Sequence, residues 1–336
     1  MGDVALTTHL PRLLKRKYPE AAIDFATSAP YEEILKYNPQ IRKLFLYDKS
    51  IPMPQNRLNL EKYLSDSIKK YDLIIDMQNN LRSKHLASGL GDSMAFSPKY
   101  RLNKLAMVFL KNRQGFAVPG IPHTHMRTAG IDKEYDDGHG LEIRLPGEAA
   151  SAEYKPFKKK YEGRIIERIA IAPGAKHETK KWPVEHFIEL SKKIINKTGA
   201  EIILIGGKDD IIEAGAIKKS LGFNADDCTG APSILETLDI LDSCDMLITN
   251  DSGPAHLAAA RKTPLMTIFG STVPEFGFMP FRVPQAMAQV PLSCRPCTHI
   301  GRKKCPKGHF NCMKSITADN VFDNFVDFCD SLSYIY

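Results

Sequence analysis

The run Thr249-Asn250-Asp251-Ser252-Gly253-Pro254-Ala255-His256 gathers residue types suited to holding an anion. Asp251 and Ser252 are strong helix N-cap residues, and Gly253 removes the Cβ that would keep a phosphate away from the backbone. His256, one turn further on, adds a donor toward the same point. Free N–H groups and the positive end of a helix dipole favour a diphosphate at such a turn. The same residues also suit an ordinary capped helix with no ligand, and on this stretch alone both readings stand. Two further loops carry similar chemistry: Pro173-Gly174-Ala175-Lys176 leading to Lys180-Lys181-Trp182-Pro183, and Gly206-Gly207-Lys208-Asp209. A lysine near a glycine-containing turn, beside a helix N-terminus, can neutralise a diphosphate without metal. Polar side chains also cluster in Gln78-Asn79-Asn80-Leu81-Arg82-Ser83. Finally, Cys294-x2-Cys297-x7-Cys305-x6-Cys312 has ligand-like spacing at its first pair. It fits either a structural zinc or a loop of packed, reduced thiols.

The elements that must position these groups alternate between strand and helix. Asp245-Met246-Leu247-Ile248-Thr249 is a short apolar run fit for a buried strand, and Leu257-Ala258-Ala259-Ala260 continues as helix. Arg168-Ile169-Ala170-Ile171-Ala172, the run over 201–205 and Leu265-Met266-Thr267-Ile268-Phe269 read as further strands, with helices between them. Earlier in the chain, strands are expected over 23–27, 41–47 and 73–77, with a helix over 4–17 and another over 60–70. Such alternation argues for parallel α/β sheets, in which ligands gather at the carboxyl ends of strands. Gln78, Asn80 and Arg82 fall at such an end in the first half; the three glycine-containing loops do so in the second. Glycine and proline break the pattern over 120–163, which places a linker near 145–160. The expected division is a first Rossmann-like domain over 1–150, a second over 151–316, and a C-terminal helix over 317–336 that folds back onto the first domain. A doubly wound domain opens on a strand that becomes central to its sheet. Here Met1-Gly2-Asp3-Val4 reads as the turn after such a strand. The expectation is therefore a first domain without its first strand, an upstream start encoding about ten apolar residues, and an interruption between the strands at 23–27 and 73–77.

The composition is that of a globular protein: 336 residues, 43% hydrophobic and 25% charged, with a net charge of +7. That charge fits an anionic ligand or an anionic membrane surface, and does not by itself point to nucleic acid. Lys155, Lys158, Lys159 and Lys160 form a short basic cluster that suits a solvated face. No apolar run approaches the ~20 residues of a membrane span, and no signal peptide is visible. Seven cysteines in that setting suit a reducing cytoplasm. A dinucleotide oxidoreductase is disfavoured because no Gly-x-Gly-x-x-Gly follows a strand.

Taken in order, Gly2-Asp3-Val4-Ala5-Leu6-Thr7-Thr8, Asp76-Met77-Gln78-Asn79-Asn80-Leu81-Arg82-Ser83, Pro173-Gly174-Ala175, Lys180-Lys181-Trp182-Pro183, Asn250-Asp251-Ser252-Gly253 with His256-Leu257-Ala258-Ala259-Ala260, and Phe269-Gly270-Ser271-Thr272 with Pro274 resemble glycosyltransferase family 9. These are the ADP-heptose:lipopolysaccharide heptosyltransferases, and the resemblance is to the heptosyltransferase II group. It implies the GT-B arrangement, an α/β fold of two Rossmann-like domains facing across a cleft. The acceptor would bind the first domain and the nucleotide-sugar the second. It implies inverting transfer of a heptose from ADP-heptose to the lipopolysaccharide inner core, with no metal required. By position, Asp3 matches the general base on the acceptor hydroxyl, and Lys180 matches the lysine that contacts donor phosphate. Asp251, Ser252, Gly253 and His256 match the donor-binding loop, and Asp209 matches an acidic residue that binds the ribose. Gln78, Asn80 and Arg82 become acceptor-side candidates. The partners implied are a nucleotide-sugar and a lipid-linked saccharide, met by a cytoplasmic enzyme in transient contact with the inner face of the inner membrane. Arg101, Lys104, Leu105, Phe109, Lys111 and Arg113 are candidates for that contact, and equally suit an ordinary amphipathic helix.

Lys176 and His177 stand where some members place Thr or Ser contacts to the donor. A nucleotide-sugar epimerase, which would need a second acid–base pair, and a nucleotide-sugar-binding homologue impaired in catalysis remain the competing readings.

Overall fold

The computed structural model describes residues 1–64, 70–148, 163, 165–231 and 233–334. The chain divides into two units, one holding Asp3–Arg101 and Pro119–Glu153, the other Leu102–Val118 and Tyr154–Tyr336. The segment 102–118, expected in the first domain, thus belongs with the second. The expected linker at 145–160 and the lysine cluster at 155–160 lie almost wholly outside the described residues.

In the first unit, β1 (Ile23–Ser28) runs parallel to β2 (Ile41–Tyr47), with Phe25 opposite Leu44 and Thr27 opposite Leu46. A second parallel pair is formed by β3 (Tyr71–Asp76) and β4 (Gly91–Phe96). Among the described residues β1 and β3 lie in separate two-stranded sheets. The helix expected over 4–17 is split into Gly2–Ala5 and Leu10–Lys17. Between them the Thr7 and Thr8 hydroxyls donate to the carbonyls of Val4 and Ala5, both at 2.7 Å, which competes with helical pairing. Pro11 then suits the first turn of the second helix. That helix buries Leu10 and Leu13 against Met126, Ala129 and Ile131. Its Arg12 is sequestered with two carboxylates, donating from Nε to Asp137 at 2.6 Å and from Nη1 to Glu142. Arg144 donates to the other oxygen of Glu142 at 2.6 Å. Burial pushes the Asp137 carboxyl up, but the hydrogen bond and charge of Arg12 outweigh it and hold the group below its ordinary value. The segment around Leu141 and Ile143 is therefore core, although its glycines read as linker.

The second unit is built on one six-stranded sheet in which every ladder is parallel. Its strands are β5 (Arg168–Ala172), β6 (Glu201–Leu204), β7 (Ala225–Asp227), β8 (Met246–Asn250), β9 (Leu265–Ile268) and β10 (Gln285–Ala288), in the order β10-β9-β8-β5-β6-β7. This is the Rossmann order, with its topological switch point between β5 and β8. The central strands are unbroken apolar runs because helices cover both faces. The helix Val184–Thr198 ends at Gly199, which takes the left-handed conformation at φ 72°. The C-terminal helix Ala318–Ser331 packs within the second unit. Val321, Phe325, Phe328 and Cys329 join the core formed by Trp182, Phe187, Ile202 and Ile248. Tyr334 Oη, just beyond it, donates to the Asp245 carbonyl at 2.9 Å. An amphipathic helix buries its stripe on the nearest apolar surface, and the Rossmann core supplies one.

Candidate functional site

The site grows from the carboxyl ends of β5 and β8, adjacent strands at the switch point. Asn250, the last residue of β8, stitches them together. Its Nδ2 donates to the Pro173 carbonyl at 2.7 Å, and its Oδ1 accepts from the Trp182 backbone N–H at 3.0 Å. Both loops are thus held by one buried side chain, a role that its place in the motif did not disclose. Asp251 follows, and its side chain does not cap the helix. It pairs with Lys180, Nζ to Oδ2 at 2.6 Å, and accepts from Thr272 Oγ1 at 2.7 Å. Lys180 also donates to the Asp251 carbonyl at 3.1 Å. Residues 71 positions apart in sequence are so joined, with Thr272 contributed from the loop after β9.

Ser252 occupies the N-cap of the helix Gly253–Arg261, yet its side chain makes no capping bond. Its Oγ lies 3.2 Å from Thr249 Oγ1 instead. The N-cap side chain therefore does not compete for the first-turn N–H groups, a condition under which a helix N-terminus favours an anion. His256 is buried on this first turn. Lys180 and the helix N-terminus put a cation and aligned dipoles at one strand edge.

Around this centre the remaining loops are tightly fitted. Asp209 is exposed, whereas Asp210 points its carboxylate back at the strand ends and accepts from Gly207 N–H at 2.8 Å. A Cβ on Gly174 would fall 1.8 Å from Asp210 Oδ1, so this turn needs glycine for close approach rather than for torsion. Burial pushes the Asp210 carboxyl above its ordinary value. The Asp209 position is thus one residue away from the carboxylate that reaches the strand ends. Ser271 Oγ donates to Thr179 Oγ1 at 3.0 Å, and Thr179 Oγ1 accepts from Arg302 N–H at 2.8 Å. His177 is held below its ordinary pKa by burial and by the charges of Lys180 and Lys176, which keeps its ring neutral.

In the first unit, Asp3 is exposed in the first turn of Gly2–Ala5. Two groups that sequence reasoning passed over share its field. Burial lowers the Lys99 pKa while Asp3 and Asp76 raise it. His125 is lowered by burial, against the hydrogen bond of its Nδ1 with the Leu6 carbonyl at 3.1 Å and the Asp3 charge. Lys99 follows the end of β4, so the strand-end rule that drew attention to residues 78–82 could have found it. Asn80 proves to be an N-cap: its Oδ1 accepts from Ser83 N–H at 2.9 Å and its Nδ2 donates to Gln78 Oε1 at 3.1 Å. Asp76 organises the same turn, accepting from Gln78 and Asn79 N–H at 3.0 and 2.7 Å and from Ser83 Oγ at 2.8 Å. Arg82 is half-buried on the short helix Leu81–Ala87.

Among the described residues no group of three or more His, Cys, Asp or Glu side chains is placed to hold a metal ion. Cys312 lies in the core, where burial pushes its thiol up to about 11. Cys294 Sγ approaches His309 Nε2 at 3.9 Å.

A family model described as glycosyltransferase family 9 (heptosyltransferase) matches residues 57–307. The lipopolysaccharide heptosyltransferase 2 of Escherichia coli (strain K12) is 25% identical over 294 residues, covering 82% of each chain. Among solved structures, the family 9 glycosyltransferase of Veillonella parvula superimposes with a TM-score of 0.75 at 17% identity, over 98% of this chain and 94% of that one. The ADP-heptose lipopolysaccharide heptosyltransferase II of E. coli gives 0.68 at 17% identity, over 98% and 96%.

Proposed function

The chain belongs to glycosyltransferase family 9, a glycosyl-transfer enzyme of the GT-B class, and from that premise we propose that it moves a heptose from ADP-heptose to the inner core of lipopolysaccharide, inverting the anomeric centre. The observation that carries the reading is the Lys180–Asp251 pair beside the uncapped N-terminus of Gly253–Arg261. The donor diphosphate sits at that N-terminus. As the bond from C1 to the diphosphate oxygen breaks, the first-turn amides and Lys180 stabilise the charge that grows on the leaving ADP. Because cation and dipoles already meet that charge, the reading needs no divalent ion. Asp251 lies where it can accept hydrogen bonds from sugar hydroxyls while Lys180 is shared with phosphate. Ser252, Gly253 and His256 complete the donor loop. Asp210 stands in for Asp209 as the carboxylate closest to the strand ends.

Asp3 takes the proton from the acceptor hydroxyl as its oxygen bonds to C1 on the face opposite ADP. Gln78, Asn80 and Arg82 lie on the acceptor-binding unit, where Asn80 shapes the turn. The acceptor is a lipid-linked saccharide, reached by a peripheral enzyme at the cytoplasmic face of the inner membrane. No helix among the described residues is long and apolar enough to cross a bilayer. Asp3→Asn tests the assignment. Donor affinity by calorimetry should be unchanged while turnover falls by about 10²–10⁴, the usual contribution of a general base. A variant with near-normal turnover would show that another group takes the proton.

A further inference from the structure

Asp3 lies on the short helix Gly2–Ala5, a single turn, and one isolated turn fixes several torsions for very few hydrogen bonds. Its anchors come from elsewhere in the first unit. His125, buried on the helix Ile121–Thr128, reaches the Leu6 carbonyl with Nδ1 at 3.1 Å. A carbonyl only accepts, so Nδ1 carries the proton of the neutral ring and Nε2 keeps its lone pair. Two residues on, Thr8 Oγ1 accepts from the Glu142 N–H at 3.1 Å. The chain just after Asp3 is thus tied to two distant segments, and the tie nearer to Asp3 in sequence is His125.

The second observation is a cation. Lys99 is half-buried on the loop after β4 and forms no hydrogen bond or ion pair among the described residues. Its loop is fixed to the end of β3: Ser97 N–H donates to the Asp76 carbonyl at 3.0 Å, and Asn79 Nδ2 donates to the Ser97 carbonyl at 2.9 Å. Tyr100 takes the left-handed conformation at φ 48°, which a bulky residue adopts only where its surroundings impose it. Burial lowers the Lys99 pKa, Asp3 and then Asp76 raise it, and Arg101 lowers it further. Asp76 is already occupied by its own turn, with two N–H groups on Oδ1 and the Ser83 hydroxyl on Oδ2. The Asp3 side chain forms no hydrogen bond among the described residues, which leaves it as the carboxylate open to Lys99.

We propose that His125 and Lys99 are positioning residues for Asp3. His125 fixes the turn through the Leu6 carbonyl. Lys99 takes one carboxylate oxygen and leaves the other turned to the acceptor hydroxyl. A lysine stem is long and flexible, so a change of rotamer places its ammonium on Asp3 while the backbone stays still. An exposed carboxylate otherwise samples several rotamers, whereas a general base must lie within hydrogen-bond reach of the proton it takes. Both roles rest on Asp3 being the base. Binding an acidic group of the acceptor is the competing use of the same lysine. Kinetics separates the two, because a positioning residue acts on kcat and a binding group acts on KM.

The test is steady-state transfer from ADP-heptose by the full chain, with kcat and acceptor KM measured for paired substitutions. His125→Asn puts an amide N–H where Nδ1 stands, and His125→Gln puts one where Nε2 stands. The first should keep kcat within about threefold and the second should lose about 10–100-fold, as expected for a reacting group displaced by about 1 Å. Hydrogen exchange over residues 4–8 should quicken in His125→Gln and not in His125→Asn, a readout that needs no turnover. Lys99→Met should lower kcat at least about tenfold, the worth of one charge-assisted hydrogen bond, and Lys99→Arg should recover most of it. Acceptor KM and donor affinity should stay near the parent's in all four. Added to Asp3→Asn, neither His125→Gln nor Lys99→Met should cost anything further. Equal losses in the two His125 variants would overturn the proposal by marking a structural histidine. A raised acceptor KM at unchanged kcat in Lys99→Met would overturn it by marking a binding lysine, and so would losses that add to that of Asp3→Asn. Near-normal turnover in Asp3→Asn alone would remove the base assignment, and these two roles with it.

Discussion

The two units solve the same architectural problem in different ways. In the second, a single six-stranded sheet presents its strand ends as one edge, and each loop there is pinned by a buried bond. Asn250 spans two of the loops, Thr272 reaches Asp251, and Asp210 wedges against Gly174. In the first, the strands form two separate pairs, and the element carrying Asp3 is anchored downstream by Arg12 between Asp137 and Glu142. One site is organised by backbone ladders, the other by a charge cluster. Ladders distribute their stabilisation over many bonds, whereas a buried charge cluster fails as a whole when one member is removed. The units should therefore respond differently to mutation, acid and ligand.

Arg12→Met should separate the two units most. It leaves Asp137 without its cation and Glu142 with only Arg144, and should cost about 3–5 kcal/mol of stability in the first unit. Hydrogen exchange should show protection lost over Leu10–Lys17 and 136–144, while ADP-heptose affinity changes little. Equal loss in β5 and β8 would mean that the units do not behave independently. Lys180→Ala is next. It removes a charge-assisted contact and leaves Asp251 with only Thr272, so donor affinity should fall by about 1.5–3 kcal/mol, roughly 10–150-fold, alongside a loss of stability confined to the second unit. Unchanged affinity in a folded variant would remove Lys180 from the donor site. Thr272→Val sharpens the same point, because losing one bond to Asp251 should weaken donor binding by only about 1 kcal/mol.

Acid gives the smallest and most selective effect. The Asp137 carboxyl is held below its ordinary value, so its stabilisation is present above the ordinary carboxylate range and is lost as pH falls through the depressed value. Asp210 is shifted the other way by burial, so its protonation on acidification favours the folded second unit. Segmental hydrogen exchange over an acid series should show the first unit loosening before the second. The reverse order would contradict the charge-cluster account.

Much of this difference was legible in the residue order, and the rest was hidden for physical reasons. Apolar runs such as Ile169–Ala172 and Met246–Thr249 announce buried parallel strands, and the rule that ligands gather at carboxyl ends then points to the loops at 173–180, 206–209 and 250–256. The pairing of Lys180 with Asp251 could not be read, since only the folded sheet brings those loops together. Asp209 and Asp210 are indistinguishable by type; which one turns inward depends on the register of a short 3₁₀ turn. Lys99 and His125 stood alone in the sequence, and their significance comes from the charges around them. The cysteine spacing left zinc and packed thiols equally open because spacing carries no depth; the fold places Cys312 in the core. The C-terminal helix offered an amphipathic stripe without an address, and local pattern alone does not say which unit receives it.

If the chain transfers heptose, mass spectrometry of an inner-core acceptor after incubation with ADP-heptose should show an acceptor heavier by one heptose residue, ADP released in equal amount, and loss of both in Asp3→Asn. An unchanged acceptor alongside tightly bound donor, or a free epimerised sugar nucleotide, would contradict it.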